Sequence, residues 1–519
     1  MYTHIKIVFL GGLASSDNLT GSCILLIIQQ GKSIAKILVD AGLIQCIFKE
    51  SLIKNQKILS QLDLKSIGSI ILTHSHTDHV GRLPLLTKHG FRGRVICTKS
   101  TARILPIMLE DSAKIQALET HYLKGRDLKD QNNDFKNHHQ GRDTLRLGKY
   151  DQRRSKKRSI AGKSCEPLYD LDDVALSMTL VKNGGYNYHE WIKLYKHISV
   201  KFYPSGHVLG GAIVIIKIKD GRRYLHFGFS GDLGRPDGII LPPPEIVDEN
   251  LDYWFIESTY GGKTHPTRNQ EIFQIQEVVR QAAKKKEKII IPSFALERAQ
   301  EIIYLLSYYM SIGEVPAIPI FLDSPLASKI TDIFEDNWNS GMFLDQNRLN
   351  FNPFSPVENK FLKLISSEIE SNDLALKPGP HIIIAGSGMC DAGRIRSHLY
   401  HNLSQSSTVV CLVGYMAVNS LGRKLQENLP IVRMNKKDIM VKAKIIKFES
   451  FSAHADSNYL TKYTKTVALN SKKIFIVHGE EAGAVALKLQ LINVLSGSHA
   501  NDRWLKDIII PKFEEIVLQ

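Results

Sequence analysis

Four side chains able to bind a metal stand within six residues of this sequence: His74, His76, Asp78 and His79. They follow the apolar run Ile70-Ile71-Leu72, which reads as the end of a buried strand. Imidazole nitrogen and carboxylate oxygen suit zinc in hardness and geometry. In an extended chain, alternate residues His74 and His76 point to one side. Asp78 and His79, one turn later, can then reach a second ion. A single histidine at a strand end is ordinarily a satisfied polar residue, but four ligands at this spacing are rarely structural.

One loop cannot complete a zinc site, so other segments must contribute. Three offer candidates: Ser205-Gly206-His207-Val208-Leu209-Gly210-Gly211, Ser230-Gly231-Asp232-Leu233-Gly234 and Phe451-Ser452-Ala453-His454. Each alone reads equally well as an ordinary turn, and only their conjunction with the first loop gives them weight. Gly386-Ser387-Gly388-Met389 follows an apolar strand and reads equally as an ordinary tight turn or as a cradle turning backbone N–H groups toward a phosphate, the latter favoured by Arg394 and Arg396 just beyond. Ser293 occupies a similar strand end, where it would donate to a phosphate or cap a helix starting near Leu296. His478, in Val477-His478-Gly479-Glu480, is expected to make a structural hydrogen bond.

The elements that must hold these residues fall into blocks. Short strands at Ile5–Leu10, Cys23–Ile28, Ala35–Val39, Ser69–Leu72 and Arg94–Cys97 alternate with helical spacing at Gly81–Lys88 and Ala102–Ala117. The polar stretch from about Glu119 to Glu166 carries Arg153-Arg154-Ser155-Lys156-Lys157-Arg158. It reads as a solvated, partly disordered insertion, which can also attract a polyanion. Strands resume from Ile198 to Ser230. From about Leu251, apolar strands alternate with helices, the pattern of parallel βαβ units. Strands at Ile445–Phe448 and Ile474–Val477 and a helix over Glu481–Leu495 close the chain.

At 519 residues two domains are expected, and a formal net charge of +15 favours a polyanionic partner, nucleic acid before membrane. No apolar run is long enough for a membrane helix, so no membrane partner is expected. The six cysteines form no CxxC pair, which fits a reducing compartment. The N-terminal stretch reads as a strand and turn rather than a signal peptide. Cytoplasmic localisation is therefore expected.

The HxHxDH loop together with the Gly-His, Gly-Asp and Ser-Ala-His elements resembles the metallo-β-lactamase fold. Glu257-Ser258-Thr259-Tyr260-Gly261 and Phe451-Ser452-Ala453-His454 narrow the resemblance to the β-CASP branch, whose members process RNA or DNA. Pro292–Arg298, Asp323-Ser324-Pro325-Leu326-Ala327 and Gly386–Arg394 also match, and look closest to bacterial relatives of the pre-mRNA 3′-end cleavage endonuclease. The resemblance runs from about Gly11 to Glu480. It implies an α/β protein: an αββα sandwich from residues 1–244 and 424–519, interrupted by a β-CASP domain, a parallel sheet flanked by helices, over 245–423. The basic insertion spans about 119–166.

The same resemblance implies two zinc ions. His74, His76 and His207 would hold one, Asp78, His79 and His454 the other, with Asp232 bridging and Asp40 supporting the loop. Asp78 could also orient the nucleophile. Glu257 matches an acid that in relatives partners a histidine assisting the leaving group, but Lys424 stands where that histidine would fall. His398 or Lys424 would then donate the proton, or assistance is weak. Ser293, Ser387, Gly388 and Arg394 are the substrate-binding candidates. Retention of His454 favours RNA over DNA.

The expected function is zinc-dependent hydrolysis of RNA phosphodiesters by a metal-activated hydroxide in the cleft between the two domains. A DNA-directed nuclease and a non-catalytic RNA-binding subunit are the alternatives, the latter kept open by Lys424. The long span between Asp232 and His454 counts against a small ester or thioester substrate. A homodimer, if formed, is expected to use the two domains themselves. Deleting Gly125 to Lys163 is predicted to weaken RNA binding and flatten its salt dependence, with turnover of short substrates kept. Titrations at several salt concentrations check this, and an unchanged slope would exclude contact between this segment and RNA.

Overall fold

The computed structural model describes residues 3–518 apart from 15–20, 47, 139–165, 345–347, 418, 497–506 and 513–514. The basic run Arg153–Arg158 lies outside the described residues.

The chain opens with β1 (Thr3–Gly11), β2 (Cys23–Gln30) and β3 (Ser33–Val39), then α1 (Phe48–Leu59), β4 (Ser69–Ile71), α2 (Thr77–Val80), α3 (Leu83–Lys88), β5 (Arg94–Ile96) and α4 (Lys99–His138). After α5 (Leu171–Met178) come β6 (Ile192–Tyr195), β7 (Ile198–Pro204), β8 (Ala212–Asp220), β9 (Arg223–Phe229) and β10 (Tyr253–Glu257). Parallel units follow: α6 (Arg268–Lys285), β11 (Lys288–Pro292), α7 (Arg298–Ser311), β12 (Ile320–Asp323), α8 (Pro325–Asn337), β13 (Leu362–Leu364), α9 (Glu368–Leu376), β14 (His381–Ala385), α10 (Ile395–Asn402), β15 (Thr408–Leu412) and α11 (Leu421–Gln426). A hairpin, β16 (Ile431–Met434) and β17 (Lys437–Met440), precedes β18 (Lys444–Lys447), α12 (Ser457–Ala468), β19 (Lys473–Val477), α13 (Glu481–Ser496), β20 (Ile508–Ile509) and β21 (Glu515–Leu518).

Two sheets pack face to face. The first has the order β21-β1-β2-β3-β4-β5, the second β20-β19-β10-β9-β8-β7-β6. Alternate residues of each strand point inward, so Ile7, Phe9, Leu26 and Ile37 meet Phe202, Val214, Phe227 and Phe255 in a common core. Leu83, Leu86, Leu105 and Leu109 cover the outer face of the first sheet with α3 and α4. Leu460, Tyr463, Leu487 and Leu491 cover the second with α12 and α13. The result is an αββα sandwich.

The third sheet, β13-β12-β14-β11-β15-β18, is parallel throughout. A parallel sheet needs both faces covered. On one face α6, α7 and α8 supply Val279, Ile302 and Phe334, and on the other α9, α10 and α11 supply Leu374, Leu399 and Leu425.

Two expectations need correction. The strand over Trp254–Glu257, read as the start of the parallel alternation, is β10 and sits between β9 and β19 in the sandwich. The strand near Ile445, read as part of the return, is β18 and pairs with β15 at the edge of the inserted sheet. Both are short apolar strands with parallel partners, so their pattern is the same in either sheet. The chain therefore leaves the sandwich after β10 and returns after β18, later than residue 424, which falls within α11. The polar stretch also begins as helix, because α4 continues to His138. Residues 119–138 contain no proline, and polarity alone does not stop a helix once started.

Phe255 stacks on Phe229 and Phe475 at 4.3 and 4.7 Å between ring centroids. Phe255→Ala is predicted to destabilise the sandwich by about 3–5 kcal/mol, to be read from the urea midpoint. A loss below about 1 kcal/mol would mean that this core relaxes around the cavity.

Candidate metal centre

The ligand loop is built by two strand ends. Asp40 follows β3 at φ +62°, a left-handed conformation that aspartate tolerates better than most residues. Its Oδ1 accepts the Thr73 N–H and hydroxyl at 2.8 and 3.0 Å, and its Oδ2 accepts the Ser22 hydroxyl at 3.0 Å. His79 Nδ1 lies 2.7 Å from the same Oδ2. A carboxylate can only accept here, so Nδ1 carries the proton and Nε2 is left as a ligand atom. Gly42 is required by close approach, since a Cβ there would lie 1.6 Å from the Asp78 carbonyl oxygen. Ala41 and Leu43 donate to the His79 and Thr77 carbonyls at 2.8 and 2.9 Å, clamping the turn.

His207 arrives from the β7–β8 connection and Asp232 from the end of β9. His74, His76, His207 and Asp232 have donor atoms within 4.8 Å of one another. His74 Nε2 and His207 Nε2 lie 3.1 and 3.3 Å from His76 Nδ1, and each is 3.5 Å from Asp232 Oδ2. Burial is the largest effect on all three histidines and pushes each below the usual imidazole range, His74 and His207 well below it. Neutral imidazoles converging on a carboxylate are the donor set of a divalent cation.

The second group is Asp78, His79 and His478. His79 Nε2 and His478 Nε2 each lie 3.3 Å from Asp232 Oδ1, and His478 Nε2 is 3.5 Å from Asp78 Oδ2. His79 Nε2, His478 Nε2 and Asp232 Oδ1 are buried without a hydrogen-bond partner. Three orphaned ligand atoms, two of them 3.3 Å from the third, fit a metal ion. Burial opposes protonation of His79, but Asp232 and Asp40 outweigh it and hold its pKa well above the usual range. Burial likewise works against ionised Asp232, and His79, His478 and His74 more than offset it.

His454 does not join Asp78 and His79 in a donor group, contrary to the expectation. It groups with Asp232 and Glu257. Its ring lies 4.4 Å from that of His207, and its Nδ1 is 3.3 Å from Glu257 Oε1. Burial alone would lower its pKa, but Glu257 raises it to about 9. His478 takes the place assigned to His454, instead of making only a structural hydrogen bond. The missing information is a long-range pairing: His478 follows β19, and β19 lies beside β10 in register at Glu257 and Val477.

The proton-donor candidates fare differently. His398 is fully buried on α10, and its Nε2 donates to Asp323 Oδ2 at 2.6 Å, so it is no proton donor to a cleft. Lys424 lies exposed on α11. Arg394 is committed to Asp323 Oδ1 at 2.7 Å and to the Ile365 carbonyl at 3.1 Å, which removes it as a free phosphate clamp. Ser293 and Ser387 stand at the ends of β11 and β14. Ser293 donates to the Phe294 carbonyl at 3.1 Å and caps nothing, since α7 begins only at Arg298. Ser387 closes its own loop, donating its N–H to the Ala392 carbonyl at 3.0 Å and accepting the Ala392 N–H on its hydroxyl at 3.2 Å. Gly388 packs on Phe294, where a Cβ would come within 2.8 Å.

An αββα sandwich with imidazole and carboxylate donors at its strand ends defines a metallo-hydrolase. The metallo-β-lactamase superfamily matches residues 24–142, the Beta-Casp domain residues 299–425, and the Zn-dependent metallo-hydrolase RNA specificity domain residues 438–500. The chain belongs to the β-CASP family of metallo-β-lactamase-fold proteins. It is 29% identical over 429 residues to Ribonuclease TTHA0252 of Thermus thermophilus, covering 82% of this chain and 84% of that protein. To an RNase J-like protein of Methanocaldococcus jannaschii it is 26% identical over 441 residues, covering 84% and 87%. To Endoribonuclease ysh1 of Schizosaccharomyces pombe it is 25% identical over 434 residues, covering 83% of this chain and 49% of that protein.

The two late histidines can be told apart by metal content. His478→Ala is predicted to lose about one metal equivalent, while His454→Ala keeps the full complement, as measured by elemental analysis after dialysis. The reverse result would return His454 to the ligand set.

Proposed function

We propose that this protein hydrolyses RNA phosphodiesters with two zinc ions, one held by His74, His76 and His207, the other by Asp78, His79 and His478, with Asp232 between them. The observation that carries this reading is the division of Asp232: Oδ2 faces the first group and Oδ1 the second. Two such cations supply Lewis acidity, making water a nucleophile near neutral pH and offsetting charge on a phosphodiester. Asp40 fixes His79 through Nδ1. Glu257 accepts the Leu233 N–H at 2.7 Å and holds a proton on His454 Nδ1. With His398 enclosed and Lys424 out on the surface of α11, His454 is the group that supplies a proton to the leaving oxygen.

RNA as substrate is supported by the ribonuclease relatives, by the net charge of +15 and by the size of the insert. No described helix is long and apolar enough to cross a membrane. A cytoplasmic site of action fits the scattered cysteines.

Purified protein, with and without chelator, given labelled RNA and labelled DNA, tests the reading. Chelator-sensitive cleavage of RNA is expected. His76→Ala is predicted to lose metal and cleavage together, by at least about 100-fold in rate, while Lys424→Ala keeps its metal. Cleavage of DNA alone, or full cleavage by metal-depleted His76→Ala, would overturn the mechanism.

A further inference from the structure

Glu297 is a buried acid that the chemistry above does not use. It sits in the inserted domain immediately before α7, with its backbone at φ +71° and ψ −56°. The Arg298 N–H donates to the Leu296 carbonyl at 3.0 Å, closing a three-residue turn centred on Glu297. A turn of this hand is strained for any residue with a Cβ, and glycine would relieve it. The position nonetheless carries a glutamate, only 3% exposed.

The side chain gives the reason. Glu297 Oε2 accepts the Leu209 N–H at 3.0 Å in a fully buried contact. Leu209 belongs to the sandwich and lies two residues beyond His207. Val208 and Leu209 pack with Leu296, Ala299 and Ile302 in the core of the inserted domain. The loop is thus held from both sides, its imidazole among the metal donors and its next two side chains in the insert. Glu301, the neighbouring acid, is occupied by Arg298 and lies 3.9 Å from Arg268, so of these two acids it is Glu297 that reaches Leu209. Glu271 of α6 makes a parallel connection, accepting the Glu449 and Ser450 N–H groups at 2.8 and 2.7 Å on the approach to His454.

We propose that Glu297 is a positioning residue, which fixes the backbone beyond His207 so that the His74–His76–His207 group is complete only with the inserted domain seated on the sandwich. Strain retained around an acceptor is expected where the acceptor matters more than the turn. The catalytic consequence rests on the metal-dependent reading above, but the contact itself is measurable without any substrate.

Three variants separate the possibilities. Glu297→Gly relaxes the turn and removes the acceptor, Glu297→Ala removes the acceptor and keeps the strain, and Glu297→Gln keeps both. Hydrogen exchange of the 205–211 segment, release of Co2+ to a chelator, and the visible spectrum of the Co2+-loaded protein are the readouts. Glu297→Gly is expected to melt no lower than the parent, to exchange 205–211 about tenfold faster, and to release one Co2+ about tenfold faster with an altered spectrum. On RNA its kcat falls about tenfold with KM nearly constant, and Glu297→Gln restores all four measures. Unchanged exchange and Co2+ release in Glu297→Gly would overturn the proposal. So would a Glu297→Gln variant as impaired as Glu297→Ala, or equal losses of thermal stability in Gly and Gln. A parent protein that holds Co2+ but cuts no RNA would refute the substrate and leave the exchange and release tests standing.

Discussion

The structure turns on a buried aspartate with two faces. Asp232 is 2% exposed, and taking a carboxylate that far from water is unfavourable unless it is paired. Four imidazoles from three separate chain segments surround it, two at each oxygen. Every element that delivers one of those imidazoles is constrained by this pairing. The β3 and β4 ends must sit side by side so that Asp40 can reach Thr73 and His79. The β7–β8 connection must bend back over Asp232, and β19 must lie beside β10.

The sandwich and the insert share this burden unequally. The sandwich supplies all the donors, but the loop bearing His207 has its neighbours in the insert's core. The segment leading to His454 is held at Glu449 and Ser450 by Glu271 of the insert. The insert therefore takes part in holding segments that carry donors it does not own.

Much of this was legible in the sequence because it is local. His74, His76, Asp78 and His79 announce themselves by spacing within one loop, and His207 and Asp232 by the glycines beside them. The strands and helices follow from short-range periodicity. What was not legible depends on pairing between distant segments. Nothing near His478 says that β19 lies beside β10, so its place next to Asp78 could not be read, and His454 was given it instead. Arg394 and His398 have the residue types for phosphate and proton chemistry, but Asp323, at the end of β12, claims both. The membership of β10 and β18 was likewise hidden, because an apolar strand looks the same in whichever parallel sheet it joins. Glu297 looked like one residue of a matching stretch, and only its backbone angle and its partner Leu209 set it apart.

The neighbouring positions of β10 and β19 have a consequence for the life of the chain. More than two hundred residues of the insert and its connections separate these two strands. During synthesis the amino-terminal part folds first, yet the second sheet has a gap beside β10 until β19 emerges, and His478 emerges just after it. A nascent chain thus holds Asp232 and most of its partners long before the last one exists. The donor group of Asp78, His79 and His478 is therefore incomplete in a nascent chain until the segment after β19 has been made.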